Sequence, residues 1–443
     1  MKLVFLIYRL GYYRFFAPLI KEGLKRGYQI ECWHDYSQPR TGKKGYSFPD
    51  IKYIHNLCCL TESEIKTFKG DEELEKLLLK DKDINVVFSI HMSGYKFNKE
   101  TLGRFPFHWA RIMTGADSFF ELHGALMNNI QPNSKETFFV YSENWLKRGR
   151  DYLKTFFPGY SNFLDGAMKC NIVGNVEFDA FAEIDKNKVR EKYKIPPGKE
   201  ILLYLPFPYD NRAKNSAWER AFCGMFSNTA KSKDGQYIHG RKMHPVKNFI
   251  SKTYSLYRIF QDRCAWKYWI NGINEKAVFE SVRDYCDKNN LFLVVKPRLK
   301  FPVSEIVIDK ADLAVWDDDS QQDPPVLKEL LSVSKLTMSF FSSSVLSSIA
   351  AGVFHLNVRL PEVFFENDRQ KFFITDEDGS HFNFDGVCAS WTIEDVISKL
   401  KNTHSSYFTI KQNKRYEYMI KHLGFDDHKA SQRVFDALNN YER

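Results

Sequence analysis

The sequence predicts an α/β protein built from two successive open, parallel sheets. Short continuous apolar runs recur along the chain, as expected of strands covered on both faces. Amphipathic helical segments alternate with them, which is the pattern of a doubly wound sheet. The 443 residues also exceed what a single hydrophobic core ordinarily organises. The breaker Ile195-Pro196-Pro197-Gly198 precedes a fresh strong strand. It puts the boundary near residue 185, with one domain over 1–185 and a second over 186–443 that includes closing C-terminal helices.

The elements follow from periodicity. Leu3 to Tyr8 is an apolar strand, Arg14 to Arg26 an amphipathic helix with Phe15, Leu19, Ile20 and Leu24 on one face, and Tyr28 to Trp33 the next strand. This is a β-α-β unit. A strand at Ile51 to Ile54 and a charged helix from Glu62 to Leu79 are expected next, then strands ending in polar residues at Ile84 to His91, Asp117 to Gly124 and Thr137 to Tyr141. Helices over Ser142–Phe156 and Asp185–Tyr193 close the first half around a short strand and turn at Cys170 to Asp179. In the second half, strands are expected at Glu200 to Leu205, Leu291 to Arg298, Leu336 to Phe341 and His355 to Arg359. Helices are expected at Glu275–Lys288, Leu327–Val333, Val345–Ala351, Ile393–Lys401 and Ile410–Asn440. The segment from Pro206 to Asn271 is polar, basic and aromatic without alternation, so it reads as partly helical or as a functional lid.

Composition narrows the function. Apolar residues at 43% and charged ones at 27% are those of a soluble globular protein. The formal charge of +9 is that of a generally basic surface, or else of one that attracts anionic partners; no arginine-rich arm or nucleic-acid module is present, so nucleic-acid binding is not expected. The eight cysteines are scattered, with Cys58-Cys59 the only close pair, and read as reduced thiols. No apolar run approaches the roughly 20 residues of a spanning helix. The expected location is the cytoplasm, with peripheral contact at the inner membrane as the closest approach to lipid.

Two segments concentrate chemistry. Leu336-Thr337-Met338-Ser339-Phe340 runs into Ser342-Ser343-Ser344 and at once into the apolar helix from Val345 to Ala351. Small hydroxyl residues between a strand and a helix form an anion site, because backbone N–H groups and the helix dipole point to one spot. The alternative is a plain serine cap. About forty residues upstream, Leu291 to Val295 leads into Lys296-Pro297-Arg298. Two cations there could pair a phosphate or a sugar carboxylate, or else be a solvated strand end.

The order of these features resembles the glycosyltransferases with two Rossmann-like domains facing a central cleft (GT-B). Val173-Gly174-Asn175-Val176-Glu177-Phe178-Asp179 is similar to the G-N/Y-P-x-x-D linker of that superfamily, with Val176 in place of the usual proline. Bacterial Kdo and sialic acid transferases, which use CMP-sugars, carry a strand ending His-Pro and a later Ser-Ser pair that holds the donor phosphate. Here these are Lys296-Pro297 and Ser342-Ser343-Ser344. Teichoic-acid glycerophosphotransferases carry a His-Gly similar to His123-Gly124. The resemblance implies an acceptor-binding first domain, a nucleotide-sugar-binding second domain and transfer to a glycan or glycolipid in surface polysaccharide synthesis. It favours Kdo from CMP-Kdo. Nucleotide-sugar 2-epimerases, CDP-glycerol-type transferases and a non-catalytic glycan-binding protein remain alternatives.

Candidate roles follow. Asp210, after a strand and two prolines, is the carboxylate for a double displacement with retention, or else a turn residue. Glu121 and His123 are candidates for the base that activates the acceptor hydroxyl, or a satisfied buried pair; His91 is a lesser candidate. Lys296, Arg298, Ser342, Ser343 and Ser344 would bind the donor. His239, Arg241 and His244 form a basic cluster that reads as a solvated loop, or else one that could close over an acidic donor. Asp317-Asp318-Asp319 reads as a solvated charge run. No metal-ligand spacing is evident, and metal-independent transfer without a cofactor is expected.

Overall fold

The computed structural model describes residues 1–7, 10–36, 64–90, 97, 99–115, 135–160, 164, 169–206, 230–231, 275–297, 303–317, 321, 323–359, 372 and 377–439. They form two compact units: Met1–Glu183 with Asp319–Pro325 and Met419–Arg443, and Ile184–Asp318 with Val326–Tyr418.

The first unit begins with β1 (Lys2–Ile7), whose residues from Leu3 onward are fully buried. Helix α1 (Tyr13–Lys25) buries Phe15, Phe16, Leu19 and Ile20, a stripe at helical spacing. It ends at Gly27, whose φ of 75° only glycine adopts without strain. Then come β2 (Gln29–Asp35), β3 (Ile65–Phe68) and α2 (Gly70–Lys80). Here the structure corrects the single helix expected from Glu62. Ile65 to Phe68 pairs in parallel with Cys32 to Asp35, and the helix starts only at Gly70, where Asp71, Glu72 and Glu73 sit in its first turn. The unit continues through β4 (Ile84–Ile90), α3 (Lys99–Arg104), β5 (His108–Ile112), β6 (Glu136–Val140), α4 (Glu143–Phe156) and β7 (Cys170–Ile172). Ser142 caps α4, its Oγ accepting from the Trp145 N–H at 3.2 Å. The expected strands at Ile51–Ile54 and Asp117–Gly124 lie outside the described residues.

The second unit contains α5 (Lys186–Lys192), β8 (Ile201–Tyr204), β9 (Ala230–Lys231), α6 (Glu275–Lys288), β10 (Phe292–Val295), β11 (Val303–Ser304), α7 (Glu305–Asp309), β12 (Leu313–Ala314), α8 (Val326–Ser332), β13 (Leu336–Phe340), α9 (Ser344–Ala350), β14 (Phe354–Arg359), β15 (Cys388–Thr392), α10 (Ile393–Lys399) and the first part of α11 (Gln412–Leu423). β9 and β11 form a separate antiparallel ribbon.

Among the described residues, one sheet of seven strands runs β3-β2-β1-β4-β5-β6-β7 and one of six runs β12-β10-β8-β13-β14-β15. Every pairing within the two is parallel. Each unit thus lays its first three strands to one side and later ones to the other, the doubly wound Rossmann-like order. The winding reverses between β1 and β4 in one sheet and between β8 and β13 in the other. At such a reversal the carboxyl ends of the strands leave a crevice for ligand.

The C-terminal end departs from the expected single helix over 410–440. Gly424, at φ 82°, breaks it into α11 and α12 (Ala430–Asn439). A side chain at Gly424 would run into the Tyr141 carbonyl. Val434, Phe435 and Leu438 on α12 join the core of Leu3, Phe5, Phe16 and Ile20. The last helix therefore packs with the first unit, whose borders with the second fall between Glu183 and Ile184 and again inside α11.

The linker stretch explains that attachment. Gly174 turns at φ 87°, Asn175 Oδ1 accepts from the Glu177 N–H at 3.0 Å, and the Asp179 carboxylate accepts from the N–H groups of Ala430 at 3.0 Å and Ser431 at 2.7 Å. Arg433 Nε donates to the Val173 carbonyl at 2.8 Å. Asp179 is thus the cap of α12. Burial pushes its carboxyl above the usual range, against the pull of those N–H groups.

Candidate functional site

The reversal in the second sheet is formed by the ends of β8 and β13. β13 is a strand with two unlike faces. Leu336, Met338 and Phe340 face the apolar core with Leu356 and Val358 of β14. Thr337 and Ser339 fall on the other face, beside His355 and Asn357 in register. This second face is buried yet polar, and its groups form a directed chain.

Ser348 Oγ donates to the Ser344 carbonyl at 2.9 Å. Its one proton is thereby used, so the His355 Nδ1 at 2.9 Å from it must be the protonated nitrogen. His355 Nε2 then accepts from Ser339 Oγ at 2.9 Å. The imidazole is neutral: complete burial pulls its pKa down to about 3. This relay ties β13, β14 and α9 together.

Beyond β13 the chain turns sharply. Phe341 sits at φ 36°, a left-handed conformation that costs a residue with a side chain about 1–2 kcal/mol. Two contacts hold it. Its N–H donates to Asn357 Oδ1 at 2.8 Å, and its ring meets Phe382 edge-on at 5.2 Å. Asn357 Nδ2 donates in turn to Ser390 Oγ on β15 at 2.9 Å.

The turn sets Ser342, Ser343 and Ser344 at the carboxyl end of β13. Ser342 Oγ accepts from the Ser344 N–H at 3.3 Å. Ser343 is exposed. Ser344 is only 5% exposed, and its Oγ has no hydrogen-bond partner. A buried hydroxyl without a partner is costly unless a ligand satisfies it.

Lys296 lies at the end of β10, on the same sheet edge, with only β8 between β10 and β13. Two strand spacings put it about 10 Å from the serine turn. It is buried and forms an ion pair with Asp317, which is 36% exposed. This corrects the reading of Asp317 as a solvated charge: it holds the one described cation of the Lys296-Pro297-Arg298 segment.

Sequence and structure thus bring together Lys296, Ser342, Ser343 and Ser344 on one edge. Asp210, Glu121, His123, His91, Arg298, His239, Arg241 and His244 lie outside the described residues. Sequence reasoning missed Phe341, His355, Asn357 and Asp317. The polar pair His355 and Asn357, two apart in an otherwise apolar strand, was the available signal. Among the described residues no group of three or more His, Cys, Asp or Glu could hold a metal ion. Among them, too, no helix is long and apolar enough to cross a membrane, and Cys32, Cys170, Cys286 and Cys388 are free thiols.

Neither a family model nor a curated protein matches the chain. Solved structures do. The wall teichoic acid polymerase TagF superposes with a TM-score of 0.50 at 10% identity, over 99% of this chain and 89% of that one. The fold is of the GT-B type. UDP-GlcNAc 2-epimerase from Neisseria meningitidis, bound to UDP-GlcNAc, gives 0.48 at 12% identity over 99% of this chain and 100% of its own. Arabidopsis thaliana UGT89C1, complexed with UDP-L-rhamnose, gives 0.46 at 9% identity, covering 99% and 98%. At such identities the likeness is one of fold alone.

Proposed function

We propose that this GT-B protein is a glycosyltransferase whose second unit holds a cytidine-nucleotide donor and whose first unit binds a glycan or glycolipid acceptor. One observation carries the reading: a serine turn with a buried, unpartnered Ser344 hydroxyl, at the winding reversal of a parallel sheet, with Lys296 on the same edge. Hydroxyls and a cation so placed suit a phosphate whose charge grows as the sugar leaves. In the transfer an acceptor hydroxyl attacks the anomeric carbon, directly or after Asp210 has displaced the nucleotide. The carbon–oxygen bond to phosphate breaks, CMP keeps the electron pair, and the hydroxyl proton passes to Glu121 or His123. Ser342, Ser343, Ser344 and Lys296 take up the phosphate charge, and Arg298, Arg241 and His244 pair with the carboxylate of an acidic sugar. Kdo is the sugar that the sequence resemblance favours, in surface polysaccharide assembly at the cytoplasmic side of the membrane.

The likeness to TagF, along nearly the whole chain, supports a second reading: transfer of a polyol phosphate from a CDP-linked donor. CMP release distinguishes the two. With a glycan acceptor, CMP-Kdo and not CDP-glycerol should yield CMP. Release from CDP-glycerol alone would replace the first reading by the second, and turnover of a UDP-sugar without acceptor would point to an epimerase. Transfer is metal-independent in this account, so excess EDTA leaves the rate within about twofold, and loss of activity restored by Mg²⁺ would contradict it.

A further inference from the structure

We infer that Asn357 is a positioning residue for the donor turn: its side chain, anchored by Ser390, holds Phe341 in the conformation that presents Ser342 to Ser344 to the nucleotide phosphate. The inference rests on the donor-binding reading above and deepens it.

Asn357 is fully buried on β14, directly across from Ser339. Its amide is used at both ends. Oδ1 accepts the Phe341 N–H at 2.8 Å and Nδ2 donates to Ser390 Oγ at 2.9 Å. The first bond grips the residue whose backbone, at φ 36°, redirects the chain. The second fixes the amide's rotation from β15, a strand that does not touch the turn through the sheet ladder. Three parallel strands thereby converge on one backbone N–H. The next residues are the serines, with Ser344 clamped from the other side by Ser348 and His355. A phosphate site demands donor placement to within about half an ångström. A strained residue is a hinge unless something over-determines it, and here the Asn357 amide does so.

Without the amide, Phe341 can relax toward the ordinary helical or extended regions, and the three serines move with it. The loss should appear in donor binding and in the bond-breaking step, in which the same serines take up the phosphate charge.

The test is isothermal titration of CMP against wild type, N357A, N357D and S390A, with amide hydrogen exchange over 340–346. N357A should weaken CMP binding about tenfold, the scale of one lost buried hydrogen bond, and speed exchange in the turn. Asp at 357 keeps the acceptor for the Phe341 N–H but buries a negative charge beside the phosphate turn, so N357D should slow exchange in the turn relative to N357A without restoring CMP affinity. S390A, the milder change should N357A not fold, should weaken binding about threefold. In turnover assays KM for the donor should rise and kcat should fall as well, because the displaced serines also meet the charge that grows on the phosphate as the sugar leaves. Wild type that binds CMP and an N357A or S390A chain that binds it equally well would overturn the inference alone. A folded wild type that binds no nucleotide would overturn the donor-site reading and this inference together.

Discussion

Ser344 separates a binding role from a structural one. Its hydroxyl is buried and unpartnered, so Ser344→Ala removes an unmet polar group, and stability should stay level or rise by about 1 kcal/mol. Nucleotide affinity should nonetheless fall about tenfold. A destabilised variant with unchanged affinity would make Ser344 a structural residue. His355 makes a different prediction. Its folded pKa, about 3, lies below the roughly 6.5 of an unfolded histidine. Between those values the unfolded chain binds a proton that the folded one refuses. The histidine's contribution is therefore intact above about pH 6.5 and is lost as pH falls toward 3, by up to about 1.4 kcal/mol per pH unit. His34, whose Nε2 lies 2.8 Å from Tyr13 Oη, does the same in the first unit, with burial pulling it to about 3. Denaturant midpoints between pH 7 and 5 should fall in wild type, with the second unit's slope flattened in H355Q; equal slopes would refute the neutral relay.

Among elements, α12 is the informative case. It lies some 250 residues from the linker that caps it, and its cap is the Asp179 carboxylate. Asp179→Ala should cost about 1–2 kcal/mol, with hydrogen exchange rising first over 430–439, whereas Asp179→Asn, which keeps an acceptor, should cost less. Uniform exchange along α12 in the alanine variant would contradict the assignment. Strands such as β4, β8 and β13 were legible because burial on both faces leaves a continuous apolar run. β3 was not, because Ile65 to Phe68 carries Lys66 and Thr67 on a sheet edge and adjoins a strongly charged helix. The break at Gly424 was visible as a glycine, but its fixed turn comes from the approach of the Tyr141 carbonyl, a contact nearly three hundred residues away in sequence.

At the scale of the whole molecule, two sheets share one winding order, and each has a reversal of the kind that leaves a crevice at the carboxyl ends of its strands. Strand–helix alternation made that order readable, including the serine turn and Lys296 on one edge. The partners of those residues were hidden. Asp317 looked like one of three solvated acids, and Asn357 and His355 act only through pairings that the sheet register creates. Domain membership of the last helix was hidden for the same reason, since Val434, Phe435 and Leu438 do not reveal which core they enter. The measurement that tests the account most directly is thermal unfolding with CMP, CDP, UDP and GDP in turn. A cytidine nucleotide at about a hundredfold over its Kd should stabilise the protein by about 2.7 kcal/mol, and S344A should lose most of that shift. Stabilisation by none of the four, or by UDP or GDP but not by a cytidine nucleotide, would contradict the central claim.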